Sequence, residues 1–316
     1  MKYFLFFLFA TAFSAHALET DNYLSWNHDL PDSAEDINQL IQTQIEEVLA
    51  TQSGKKNVSC ENITFNIASR FKTRPIKGEM FVNWSTEHLG SKIFPATDKY
   101  LEESIYRETP KLLMKIAPLA PNIQTGGIYF GLDKLSHFAS TGRRYLKEYL
   151  KQLKKGSSDE DSENAAIDLG LSNEAGILGI WVSGVFSFGD LEANYQGLRF
   201  YRKFCLDQKD SYLEQVSGQW KLAKVPDIRD YVTPDWDETF NLSYRAPKTW
   251  KGTSALLKQE YCELRQSENV VSRFKLYEEK ATKSRSRIYI ENLRASGFKK
   301  IPDPLENQSF DKLCTK

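Results

Sequence analysis

The sequence is short of the features that usually announce a function. It contains no Cys-x-x-Cys, no phosphate-binding glycine loop, no Gly-x-Ser-x-Gly and no His-Glu-x-x-His. The commonest signatures of zinc ribbons, nucleotide hydrolases, serine hydrolases and zinc peptidases are therefore missing. Neither charge is in excess, with 42 Lys plus Arg against 42 Asp plus Glu. That balance argues against a dedicated nucleic-acid binder or a strongly cationic membrane binder. Only four cysteines and four histidines occur, with no Cys/His cluster, so a structural zinc site is not expected. Internal repeats and low-complexity tracts are absent as well. The apolar stretch from Ala175 to Phe188, about fourteen residues, falls short of the roughly 20 needed to cross a bilayer as a helix.

What is present begins with a targeting pattern. Met1 and Lys2 precede an apolar run from Tyr3 to Phe13, and Ala15-His16-Ala17 supplies small residues where a signal peptidase reads. A short positive start, a short apolar core and an A-x-A site predict a secretory signal over 1–17 and a mature chain from Leu18, with no membrane span. No cysteine lies near the cut, so no lipid anchor is expected. The rest of the chain is long enough for one large or two modest domains. Export implies an oxidising space, where Cys60, Cys205, Cys262 and Cys314 are expected to pair. The expected partner of Cys205 is one of the C-terminal two, which would tie down the Pro-rich tail.

Periodicity predicts a mainly α protein with a few short strands. Apolar residues from Ile37 to Leu49 recur at helical spacing behind an acidic start at Asp32 to Glu35. The alternation over 62–67 suggests a strand, and 98–117 reads as a helix bent at Pro110. Leu132 to Leu153 carries the clearest helical pattern, closed by Lys151, Lys154, Lys155 and Gly156. The acidic stretch 157–164 reads as a solvated connection, 165–185 as an apolar second helix and 190–204 as a third. Residues 220–247 read as irregular with one strand, and 254–263 and 267–293 as helices. The expected organisation is a signal at 1–17, an N-terminal helical or mixed region at 18–124, a central three-helix unit at 125–206 and a C-terminal region at 207–316.

Five polar residues stand out. Asp133 and His137 lie four apart on the first patterned helix and so share a face, as do Asp190 and Asn194 on the third. Glu174 sits among Gly, Ala, Ile and Leu, where a carboxylate is costly to bury unless paired. If these helices are neighbours, the five can converge, with Lys134 beside them.

These residues fall in two ordered motifs. Asp133-Lys134-Leu-Ser-His137-Phe138, followed by Glu174 and then Phe188-Gly189-Asp190-Leu-Glu-Ala193-Asn194-Tyr-Gln-Gly197, resembles the YfiM-like bacterial envelope proteins and more distantly the VanZ-like membrane proteins. The resemblance covers roughly residues 125–205. It implies a bacterial envelope protein and implies no reaction. The chain departs from both groups in having no lipid-attachment cysteine and no multiple spans.

Four readings of the cluster are open: a buried network that fixes helix register, an acid–base site, a divalent-metal site through His137, Glu174 and Asp190, or a binding surface. With one imidazole available, a metal would be calcium, magnesium or manganese rather than structural zinc. No other cofactor is expected. Asp235-Trp236-Asp237-Glu238 reads as an acidic loop with a packing Trp, or as a sugar or cation site. Lys280, Lys283, Arg285 and Arg287 read as a solvated helix face, or as a contact for an anionic surface. His28 and His88 are isolated. The leading expectation is an exported envelope protein with a structural or binding role. The alternative is a hydrolase of an envelope glycan or lipid, working through Glu174, His137 and Asp190.

Overall fold

The computed structural model describes residues 19–52, 55, 58–72, 80–94, 102–107, 119–176, 179–181, 183–207 and 210–314. The expected signal segment lies outside them, as does most of the helix expected over 98–117, of which 102–107 form turns. The fold is mainly α. Its helices are α1 (Ala34–Gln52), α2 (Cys60–Arg70), α3 (Met80–His88), α4 (Leu132–Ser136), α5 (Gly142–Lys154), α6 (Asp159–Glu174), α7 (Phe188–Cys205), α8 (Pro247–Leu256), α9 (Glu268–Lys280) and α10 (Arg285–Ala295), with several shorter turns. Three antiparallel two-stranded ribbons accompany them: β1 (Asn122–Thr125) with β2 (Ile128–Gly131), β3 (Val185–Phe186) with β6 (Tyr244–Arg245), and β4 (Leu213–Val216) with β5 (Gln219–Leu222). Among the described residues no helix is long and apolar enough to cross a membrane.

Apolar faces decide the packing. Ile37, Leu40, Ile41, Ile45 and Val48 bury one side of α1, and Tyr145, Leu146, Tyr149 and Leu150 bury one side of α5. α5 lies against both α6 and α7. One core runs through the chain from Ala34 to Ile301 and takes in Phe130, Phe138, Phe200 and Trp236. Trp236 meets Phe130 edge to face at 5.0 Å, a favourable aromatic geometry. The crossing of α5 and α7 requires glycine. A Cβ on Gly197 would lie 1.9 Å from the Phe138 carbonyl oxygen and 2.9 Å from Gly142 Cα. Between α4 and α5, His137–Thr141 forms a π turn in which the Gly142 N–H donates to the His137 carbonyl.

Several expectations are corrected. Residues 62–67 are helical, not a strand. Ser59 caps α2 by accepting from the Asn62 N–H, and Ile63 and Ile67 are buried one helical turn apart. The alternation misled because Ile63 and Ile67 also satisfy an i,i+4 spacing. The acidic stretch 157–164 is not a connection. Ser158 caps α6 there, and Asp159, Glu160 and Asp161 fill its first turn, where carboxylates complement the helix dipole. The same helix ends at Glu174 instead of running to 185. Glycine disfavours helix, and Gly184 adopts φ +73° and packs so closely that a Cβ would meet Thr249 Oγ1 at 2.3 Å. Residues 267–293 form two helices, α9 and α10, with a break over 281–284.

Two disulfides are present, and the expected pairing of Cys205 is wrong. Cys60 joins Cys205, fastening the start of α2 to the end of α7, and Cys262 joins Cys314. Sequence spacing carries no information on which helix ends meet in space. The C-terminal tail is tied down as expected, through Cys262.

Candidate functional site

Lys134 is the centre of the polar cluster. It occupies the first turn of α4, directly after β2, and is completely buried. Its Nζ lies 2.7 Å from Asp133 Oδ2, 2.7 Å from Asp190 Oδ1 and 2.6 Å from Glu238 Oε1. An ammonium has three protons to donate, and three carboxylates face it. Burial alone pushes the Lys134 pKa down, but Asp133, Asp190 and Glu238 override it and hold the ammonium well above its ordinary range.

Each carboxylate is anchored from a different part of the chain. Asp133 Oδ1 accepts from Thr20 Oγ1 at 2.5 Å. Glu238 Oε1 also accepts from Ser187 Oγ at 2.8 Å, and the Glu238 N–H donates to Asn22 Oδ1 at 3.2 Å. Ser187 is the N-cap of α7. Its hydroxyl accepts from the Asp190 N–H at 3.0 Å, and its own N–H donates to Glu174 Oε2 at 3.2 Å. The cap thus links Glu174, at the last turn of α6, to Glu238 and the Lys134 cage.

His137 spans the helical pair on α7. Its Nε2 lies 3.2 Å from Asp190 Oδ2 and its Nδ1 lies 3.1 Å from Asn194 Oδ1. The i,i+4 spacing of Asp190 and Asn194 presents both acceptors to one ring. Burial works against the Asp190 charge, but His137 and Lys134 together hold its pKa below the ordinary value. Glu174 behaves oppositely: burial, then the nearby Asp190 charge, raise it well above the carboxylate range. Desolvation and the charges of Glu238 and Asp190 likewise push Glu19 up to about 8. The neighbouring carboxyls of Asp190 and Glu174 are therefore shifted in opposite directions.

Asp133, His137, Asp190 and Asn194 thus converge through Lys134 and direct contacts. Glu174 joins through Ser187; among the described residues no hydrogen bond ties it to His137. The cluster is nearly closed to solvent. Asp133 and Glu174 are each 4% exposed, while the His137 side chain at 22% forms its rim.

Among the described residues the acidic group with metal-like spacing is Asp133, Asp190 and Glu238, whose ligand atoms lie within 4.8 Å of one another. It is not the expected set of His137, Glu174 and Asp190. The Lys134 ammonium lies among the three carboxylates and supplies the positive charge that a cation would bring.

No family model matches the sequence, and no curated protein or solved structure matches it.

The 235–238 segment is not a surface loop. Trp236 is fully buried, Asp235 pairs with Arg287, Asp237 accepts from Thr239 and Tyr277, and Glu238 serves the Lys134 cage. Glu238 was the member missed by sequence reasoning; its clue was a run of carboxylates beside a Trp, 104 positions from its partner Lys134. Lys134 itself was visible within the first motif, but its three-way contact was not. The basic run is not one helix face either, since Lys280 ends α9 and Arg285 starts α10. His28 stacks near Phe94 and His88 near Trp84, both as packing partners.

Proposed function

We propose that this chain is an exported cell-envelope protein with a structural or binding role, and that its polar cluster is the fastening of a central three-helix unit rather than a reaction centre. One observation carries the reading: the buried Lys134 ammonium forms ion pairs with three carboxylates at 2.6–2.7 Å, and both ring nitrogens of His137 face oxygens. A catalytic base needs solvent or substrate access, whereas a buried, mutually paired network fixes the register of the elements it joins. The residues that carry the resemblance to YfiM-like envelope proteins are largely those of this network and of the α5–α7 crossing. The two disulfides suit an oxidising compartment. The partners that fit this setting are envelope glycans or lipids.

The test is stability. Glu174→Gln and His137→Gln should each lower unfolding stability by ~1–3 kcal/mol, the cost of leaving buried polar partners unmatched. Any loss of binding to envelope fractions should track the loss of folded protein.

A second reading, a hydrolase of an envelope glycan or lipid, is favoured by the opposite pKa shifts of Glu174, raised by burial, and of Asp190, lowered by His137 and Lys134. Carboxyl pairs driven apart in this way are the usual acid and base of hydrolytic sites. Under that reading Glu174→Gln keeps or raises the melting temperature and abolishes hydrolysis of envelope glycan or phospholipid preparations. Intact stability with no change in any envelope activity would sink both.

A further inference from the structure

The basic run lines a cleft that the Lys134 network does not use. The cleft has a volume of about 650 Å³, within the range of small-ligand sites, and its lining holds five cationic side chains against the single carboxylate of Asp230. The cations are Arg199 on α7, Arg229 from the short turn at Ile228–Asp230, Lys280 at the end of α9, and Lys283 and Arg285 at the break before α10. They are not equivalent. Arg229 pairs with Asp227 and Glu35, Lys283 with Glu291, and Arg285 with Glu160 and Glu163. Arg199 and Lys280 have no carboxylate partner among the described residues. Arg199 donates to Gln196 Oε1 at 2.7 Å and Lys280 to the Gly126 carbonyl at 2.5 Å. Neither makes an ion pair among the described residues, although the Arg199 guanidinium lies over the Tyr231 ring at 6.0 Å and feels the Glu192 carboxyl beyond Gln196. The N-terminus of α10, capped by Ser284, faces the same space and adds the positive end of a helix dipole.

A second, independent feature concerns hydroxyls. Thr125, 1% exposed, and Thr233 both line the cleft, and neither Oγ1 has a hydrogen-bond partner among the described residues. Buried hydroxyls are normally satisfied; both oxygens lie just beneath the cleft lining, and a ligand rich in hydroxyls or oxygens that shifts the lining side chains supplies what these lack. Ile128, Tyr195 and Val232 give the cleft an apolar side against which a carbon skeleton can lie.

We infer that this cleft binds a phosphorylated polyol or sugar, with the phosphate between Arg199, Lys280 and the start of α10 and the hydroxyls toward Thr125 and Thr233. The site is independent of the Lys134 network and stands or falls apart from the structural role proposed for that network. Its ligand has two chemical sources, a soluble phosphate ester or the headgroup of an anionic phospholipid.

The experiment uses the full mature chain in titration calorimetry with glycerol 1-phosphate, glucose 6-phosphate and inorganic phosphate, and in co-sedimentation with phosphatidylglycerol or phosphatidylcholine vesicles. The expected result is saturable binding of at least one phosphate ester, weakened by rising salt. Arg199→Gln and, separately, Lys280→Gln should weaken it tenfold or more, and Thr125→Val should weaken the esters but not inorganic phosphate. Sedimentation with phosphatidylglycerol alone, competed by glycerol 1-phosphate, identifies the headgroup as the source. Soluble-ester binding without vesicle binding identifies the free ester. Absence of binding to every phosphate probe, or binding that both folded variants retain unchanged, overturns the proposal.

Discussion

The two charged regions of this protein hold their cations in opposite ways. Around Lys134, three carboxylates converge on one buried ammonium, and Thr20, Asn22 and Ser187 tie the surrounding groups to distant parts of the chain. In the cleft beside α10, five cations line one space, three of them paired with carboxylates outside it, and Arg199 and Lys280 make no ion pair among the described residues. A cluster of buried, mutually paired charges resists change because every group depends on the others. Exposed cations at a cleft tolerate change because they face solvent or a ligand. Charge count alone does not separate a fastening from a site; how deeply the charges are buried and paired does.

The sharpest way to break the comparison is Lys134→Met. It leaves three buried carboxylates without their common counter-ion, and removing one partner of a buried ion pair costs about 3–5 kcal/mol. Chemical denaturation should show that loss; a variant as stable as wild type would mean that the carboxylates take up protons at little cost. Next comes the Cys60–Cys205 bridge, which fastens the end of the helix that carries both Asp190 and Arg199. The Cys60→Ser, Cys205→Ser double variant should lose about 2–4 kcal/mol, with the melting temperature as readout. Because α7 contributes to both regions, the double variant should also weaken phosphate-ester binding.

Glu192 gives a smaller, pH-dependent effect. It is buried on α7, accepting from Gln196 and Ser284. Burial, helped by the Asp235 charge, pushes its pKa up to about 7, against the hydrogen bonds from Ser284 and Gln196. Between the ordinary value of 4.5 and about 7 the folded protein keeps this proton while the unfolded chain releases it. The contribution to stability is therefore complete below the lower value and lost as pH rises through the upper one. Wild type should lose about 3 kcal/mol relative to Glu192→Gln between pH 4.5 and 8; parallel urea midpoints across that range would refute it. The smallest effect is expected in the cleft. Arg199→Gln and Lys280→Gln should move unfolding stability by less than about 0.5 kcal/mol, since neither residue carries an ion pair among the described residues. A large loss there would make the cleft cations structural and erase the contrast.

Features of the sequence that act locally were legible. The apolar spacing of α1 and α5, the closing lysines of α5 and the paired spacing of Asp133 with His137 and Asp190 with Asn194 are set by residues within a few turns of one another. The meeting of Lys134 with Glu238 was not legible, because nothing near either residue encodes the other. The same holds for Cys60 with Cys205. Local signals also misled where two periods overlap, as at Ile63 and Ile67, or where composition hides a cap, as at Ser158. The glycines of 176–184 looked like part of a buried helix because they are apolar, yet they serve a tight path from α6 into β3.

The π turn at His137–Thr141 works like a change of gear between two parts of one rod. Each residue advances a helix by about 100°, so the extra residue in that turn sets the phase of everything after it. Ahead of it, Asp133 and Lys134 are aligned to the carboxylate cage; behind it, Tyr145, Leu146 and Tyr149 are aligned to the core. Deleting one residue from the turn would leave every side chain in the protein and swing the second part out of mesh with the first. The length of this segment is therefore as much a part of the design as its chemistry, and a shift of frame by one position would be felt at both ends.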